Sequence, residues 1–211
     1  MDYDLTEFVN LLLEDTTDAN LALPDPSLVQ YYIDLKNRTI WIDAEIKKGY
    51  LDIVSKIILW NREDKDLPVE ERQPIKIMFN SPGGDLDVAD TLIDVIHLSK
   101  TPVYGFALGM VASAASIIYL SCHKRFALPN SYWIFHQGSA SNLGGSYSEI
   151  QAAMEDYRIQ VEKMEKFYIE NTTYPEETVK QKIKSDWYIY LEEAKKYNIV
   201  TDELETIDEL L

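Results

Sequence analysis

Between Ile75 and Leu120 the chain twice runs from an apolar strand-like stretch, through a turn of small residues, into an apolar helix-like stretch. The first unit is Ile75, Ile77 and Phe79, then Ser81-Pro82-Gly83-Gly84, then Leu86, Ala89, Leu92, Ile93 and Ile96 at helical spacing. The second is Val103, Tyr104 and Phe106, then Gly109-Met110-Val111-Ala112-Ser113, then Ala114 to Leu120. Strands and helices that alternate in this way call for an α/β fold, with helices packed outside a sheet. A length of 211 residues with 46% hydrophobic content supports one substantial core. We therefore expect a single domain over residues 28–211, preceded by an acidic segment over 1–27.

Both turns are suited to chemistry. Gly83 and Gly84 let the backbone turn sharply and present bare N–H groups at a helix start, where a developing oxyanion is favoured. Donors of this kind supply roughly 3–4 kcal/mol of transition-state stabilisation each. Taken alone, Pro-Gly-Gly is equally a tight strand-to-helix connection. The second turn places Ser113 where a helix begins, among residues small enough to admit a substrate carbonyl. It is not a G-x-S-x-G elbow, and Ser116 and Ser121 read as capping or packing residues.

A serine nucleophile needs a base that titrates near neutrality, and the chain has three histidines. His97 falls in the helix after the first turn, and His123 stands beside Lys124 and Arg125 in a polar connection. His136 alone closes an apolar strand, Tyr132 to Phe135. The acid cannot be chosen in this way, because there are 36 Asp and Glu residues.

The formal charge of -16 argues against nucleic acid as a partner. The one cysteine, Cys122, rules out an internal disulfide and reads as a buried apolar residue. No metal-ligand spacing or phosphate loop is present, so no metal and no cofactor are expected. The apolar cluster Val9 to Leu13 is short and flanked by acids, which points to a cytoplasmic protein without a membrane span. Within the N-terminal segment, Thr6 would cap a short amphipathic helix carrying Phe8, Val9, Leu12 and Leu13. From Tyr147 to Glu170, the residues Ile150, Met154, Tyr157, Val161, Met164 and Tyr168 recur four and three apart. That is a heptad-type seam, with Glu162 and Lys166 placed to pair, and it wants a partner helix.

Four blocks carry a family resemblance: NSPGG at 80–84, GMVASAAS at 109–116, RFALPNSYWIFHQG at 125–138 and SDWYIYLEEAKKYNIV at 185–200. In order, over about residues 38–203, they resemble the signature blocks of the ClpP family, the serine peptidase subunits of ATP-dependent Clp proteases. The resemblance implies a ClpP/crotonase-type spiral of β-β-α units with a protruding handle, here about residues 137–170. It implies Ser113 as nucleophile, His136 as general base, Asp186 as the acid orienting it, and the backbone N–H groups of Gly84 and Ala114 as oxyanion hole. Trp187, Tyr188 and Ile189 are placed to bury that acid. It further implies a serine endopeptidase that cleaves unfolded polypeptides in a homo-oligomeric chamber of heptameric rings, stacked into a tetradecamer and fed by an AAA+ unfoldase.

The chain departs from the family pattern at several places. Lys184 and Ser185 stand where an acid and an arginine commonly pair across rings, and Lys76 and Met78 where tyrosines line the ATPase pocket. Gln137-Gly138 replaces Gln-Pro. Two other readings are a crotonase-type acyl-CoA enzyme, whose paired amides would stabilise an enolate, and a non-catalytic structural or regulatory ring subunit. The complete Ser113, His136, Asp186 set argues against both.

Overall fold

A computed structural model of the chain describes residues 25–139, 144–202 and 204–210. The expected helix around Thr6 to Leu13 lies outside the described residues. The chain divides into two compact units, residues 1–39 and 40–211. In the first, the described element is helix α1 (Pro26–Lys36), started by the Asp25 carboxylate, which accepts from the Ser27 N–H at 2.9 Å.

The second unit is built on a six-stranded sheet of β1 (Thr39–Ile42), β2 (Ile75–Ser81), β3 (Val103–Ala112), β4 (Lys124–Ala127), β5 (Tyr132–Phe135) and β6 (Trp187–Tyr190). The order is β1-β2-β3-β5-β6, with β4 also paired to β3. Strand β3 runs parallel to β2, β4 and β5, and β6 closes the edge antiparallel to β5. β3 serves two neighbours in succession: Tyr104–Ala107 pair with β4, and Met110–Ala112 pair with β5. Strand therefore continues through Gly109-Met110-Val111-Ala112, which the sequence reading took for a turn. The small, apolar character of that stretch marks a strand with a second partner, and the chain turns only at Ser113.

Helices α2 (Asp52–Glu63), α3 (Leu86–Leu98) and α4 (Ala114–Ser121) pack in sequence, and α4 lies on β2, β3 and β5. The α3 face expected from its spacing is the buried one: Val88, Ala89, Leu92, Ile93 and Ile96. Ile75, Ile77 and Phe79 alternate along a strand buried on both faces, and each such side chain contributes about 1.5–3 kcal/mol through burial. Tyr119 of α4 sits edge-on to Phe79 at 5.5 Å and donates its hydroxyl to the Phe126 carbonyl at 2.9 Å.

Helix α5 (Tyr147–Asn171) opens with a capping box in which Ser146 and Glu149 satisfy each other's backbone N–H. Its last turns dock on α4 and α6 (Glu176–Lys182), burying Met164 and Tyr168. The first half stands clear of the second unit's core, with Tyr147, Met154 and Ile159 exposed. Glu162 pairs with Arg158, and Lys166 with Glu170 at 3.6 Å, in place of the expected Glu162–Lys166 pair. Each basic group had two carboxylates within helical reach, and the sequence does not rank them. Helix α7 (Leu191–Lys196) follows β6.

Candidate active site

Ser113 is where β3 becomes α4. Its N–H still donates to the Ile134 carbonyl at 2.9 Å, completing the β3–β5 ladder, while its own carbonyl accepts from Ser116 N at 2.9 Å and starts the helix. Serving both elements forces φ to 53° and ψ to -126°. For a residue with a Cβ this conformation costs on the order of 1–3 kcal/mol, held by the ladder on one side and the helix on the other. At the N-cap position a serine usually bonds the helix amides, but the Ser113 side chain makes no such bond. Its Oγ lies 2.6 Å from His136 Nε2.

The sheet register delivers the histidine and the aspartate. Parallel pairing of Ala112 with Ile134 sets the ends of β3 and β5 side by side, so Ser113 and His136 emerge together. Antiparallel pairing of Phe135 with Trp187 then sets the next residue, His136, opposite the one before, Asp186. Asp186 Oδ1 is 3.3 Å from His136 Nδ1. A carboxylate facing Nδ1 holds the proton there and leaves Nε2 to accept from the serine hydroxyl. The 3.3 Å separation is longer than a charge-assisted hydrogen bond. Trp187 and Ile189 do not bury Asp186, contrary to the sequence reading. Strand alternation sends those two inward and leaves Asp186 and Tyr188 on the open face, with the Asp186 side chain 59% exposed.

The glycine turn lies against the serine. A Cβ on Gly83 would stand 2.7 Å from Ser113 Cβ and 2.9 Å from Ala114 N, so the two turns are in backbone contact. Gly84 bridges Ile46 in parallel fashion: Ile46 N donates to the Gly83 carbonyl at 2.7 Å and Asp85 N to the Ile46 carbonyl at 3.0 Å. That alternation turns the N–H of Gly84 away from Ile46. Ala114 is the first residue of α4, whose N–H has no intrahelical acceptor. The side chain of Ser81 fixes the turn, donating to the Ala44 carbonyl at 2.5 Å and accepting from Gly83 N at 3.1 Å.

All five residues singled out from the sequence thus stand at the carboxyl ends of β2, β3 and β5 and the start of β6. His123 is elsewhere and engaged: its Nδ1 accepts from Val103 N at 3.0 Å, and burial holds its pKa below the usual histidine range. Cys122 is buried and its thiol is pushed up to about 12 by burial, which makes it inert. Two further side chains reach the site that sequence reasoning gave other roles. Ser116 donates to the Ser113 carbonyl at 2.6 Å, and Tyr168, a seam position of α5, meets Ser116 Oγ at 3.2 Å. Among the described residues no His, Cys, Asp and Glu group is arranged to hold a metal ion, and no helix is long and apolar enough to cross a membrane.

Fold and site together define an α/β protein with a Ser-His-Asp line at the carboxyl ends of a largely parallel sheet. The family model for Clp protease matches residues 27–206. Proteolytic subunit 2 of the ATP-dependent Clp protease of Treponema denticola is 32% identical over 185 residues, covering 86% of this chain and 88% of that protein. Proteolytic subunit 3 of Rhizobium etli is 31% identical over 169 residues, covering 79% and 83%. A solved structure of a ClpP1 point mutant from Listeria monocytogenes superposes with a TM-score of 0.71 at 29% identity, covering 87% of this chain and 99% of that one. The chain belongs to the Clp protease family, and its fold is that of ClpP.

Proposed function

We propose that the chain is a serine endopeptidase subunit that cleaves unfolded polypeptides through an acyl-enzyme on Ser113. The observation that carries this reading is the 2.6 Å approach of Ser113 Oγ to His136 Nε2, with Asp186 on the other ring nitrogen. Ser113 Oγ attacks the scissile carbonyl carbon as its proton passes to His136 Nε2. Asp186 stabilises the imidazolium and keeps the ring oriented. The carbonyl oxygen, now an oxyanion, accepts from the N–H groups of Gly84 and Ala114. His136 returns its proton to the leaving amine, the C–N bond breaks, and an ester on Ser113 remains. Water, deprotonated by His136, then cleaves the ester and Ser113 recovers its proton.

The working domain in this reading is residues 28–211, acting in the cytoplasm as a ring-forming homo-oligomer. Heptameric rings would stack through the handle, and the bare first half of α5, with Met154 and Ile159 exposed, suits such a contact. The Treponema and Rhizobium relatives are subunits of ATP-dependent proteases, and an ATP-driven unfoldase is the partner proposed here. Lys76 and Met78 make its docking non-standard. Met78 packs with Phe106 and Phe126 in an apolar cluster joined by Tyr104 and Leu108, and Lys76 pairs in register with Tyr104.

Hydrolysis of a fluorogenic peptide by purified protein tests the reading. We expect turnover by the wild type, background rates for Ser113→Ala and His136→Ala, and a loss of about 10³- to 10⁴-fold in Asp186→Asn. Assembled wild-type particles that cleave nothing would contradict it.

A further inference from the structure

Ser116 in the first turn of α4 and Tyr168 in the last turn of α5 are fully buried. The Ser116 hydroxyl has one proton, and it is donated to the Ser113 carbonyl at 2.6 Å. The 3.2 Å contact between the two hydroxyls is therefore a donation from Tyr168 to Ser116. Burial pushes the Tyr168 phenol up to about 12, so it stays protonated and keeps donating at neutral pH. The Tyr168 ring stacks on Phe135, the residue before His136, with centroids 4.2 Å apart and planes 13° apart.

One side chain of α5 thus reaches Ser113 through the Ser116 hydroxyl and stacks on Phe135, next in the chain to His136. The need for such a hold is local. Ser113 sits at φ 53°, a conformation that persists only where its surroundings over-determine it. A site that required packing alone would be filled as well by phenylalanine at 168 and alanine at 116. A buried relay of two hydroxyls, Tyr168 donating to Ser116 and Ser116 to the Ser113 carbonyl, does more than fill space.

We propose that Ser116 and Tyr168 are positioning residues for the peptidase reaction: their hydroxyl pair anchors the Ser113 carbonyl while the Tyr168 ring anchors Phe135, holding Ser113 Oγ in register with His136 Nε2. The proposal rests on the serine peptidase reading above. A loss of register below 1 Å at a reacting pair lowers the rate of reaction more than it lowers binding.

The test compares Ser116→Ala, Tyr168→Phe and the double variant in the full chain. The readouts are kcat and KM on a fluorogenic peptide, the rate constant of fluorophosphonate labelling, and Tm. Each single variant should lose about tenfold in kcat and in labelling rate with KM unchanged, and the double should be no slower than the slower single, as for groups that act as a unit. Tyr168→Phe keeps the ring stack and the fold, so it decides the matter alone if Ser116→Ala is unstable. Singles within twofold of wild type, or rate losses that vanish when the assay is cooled well below each Tm, would overturn the proposal. A wild type that is not labelled at all sinks the peptidase reading itself and this inference with it, whereas a labelled wild type with unaffected singles sinks only the inference.

Discussion

Gly83→Ala should silence Ser113 without unfolding the chain. The added methyl would stand 2.6 Å from the Ala112 carbonyl oxygen, 2.7 Å from Ser113 Cβ and 2.9 Å from Ala114 N, at a φ of +93°. Ordinary contact begins at 3.4 Å, so against Ser113 Cβ the two turns must separate by about 0.7 Å, the difference between those distances. None of the three neighbours is a flexible side-chain end that can swing aside. The positive φ alone costs about 1–2 kcal/mol for a residue with a Cβ. Together with the clash, we expect a total of about 2–4 kcal/mol, within what a folded domain tolerates. Misplacement approaching 1 Å at the reacting centre costs up to ~100-fold in rate. The assay is the rate constant of fluorophosphonate labelling at 25 °C, followed by intact mass, with Tm measured in parallel. Gly49→Ala is the control, since nothing lies within 4 Å of a Cβ there and it should label at the wild-type rate. A folded Gly83→Ala that labels as fast as wild type would refute the claim that the glycine turn and Ser113 form one site.

Arg125 donates to four carbonyls, those of Leu120, Cys122, Asn198 and Ile199, at 2.7–3.1 Å; Arg125→Met strands them, and urea denaturation should show a loss of about 3–5 kcal/mol. Cys122 should resist iodoacetamide at pH 8 in the folded protein and react once denatured, because the thiol is buried and pushed up to about 12. The folded pKa of His123 lies below its ordinary 6.5, so the unfolded chain binds the extra proton first. The stability tied to its neutral form is thus complete above pH 6.5 and is lost as pH falls through that value toward the lower folded pKa. His123→Gln keeps an acceptor for Val103 N, and its Tm should fall less than that of wild type between pH 7 and pH 5.

Much of this was legible in the chain because local rules and tertiary structure agree. The apolar alternation of Ile75, Ile77 and Phe79 and the buried face of α3 obey periodicities of two and 3.6 residues, and the two glycines between them mark the turn. His136 stood out because it alone among three histidines ends an apolar strand. What local rules leave open depends on register and distance. Asp186 faces His136 only because Phe135 pairs with Trp187, a match no composition discloses. The strand character of Gly109 to Ala112 depends on β5 arriving as a second partner. The Ser116–Tyr168 contact joins residues 52 positions apart, so Ser116 read as an ordinary helix serine and Tyr168 as one member of a seam.

The central claim, that Ser113, His136 and the glycine turn form a working acyl-transfer site, is tested most directly by the intact mass of wild type and Ser113→Ala after fluorophosphonate treatment. The account predicts one adduct per chain on the wild type and none on the variant. An unmodified wild type, or an adduct that survives in Ser113→Ala, would contradict it.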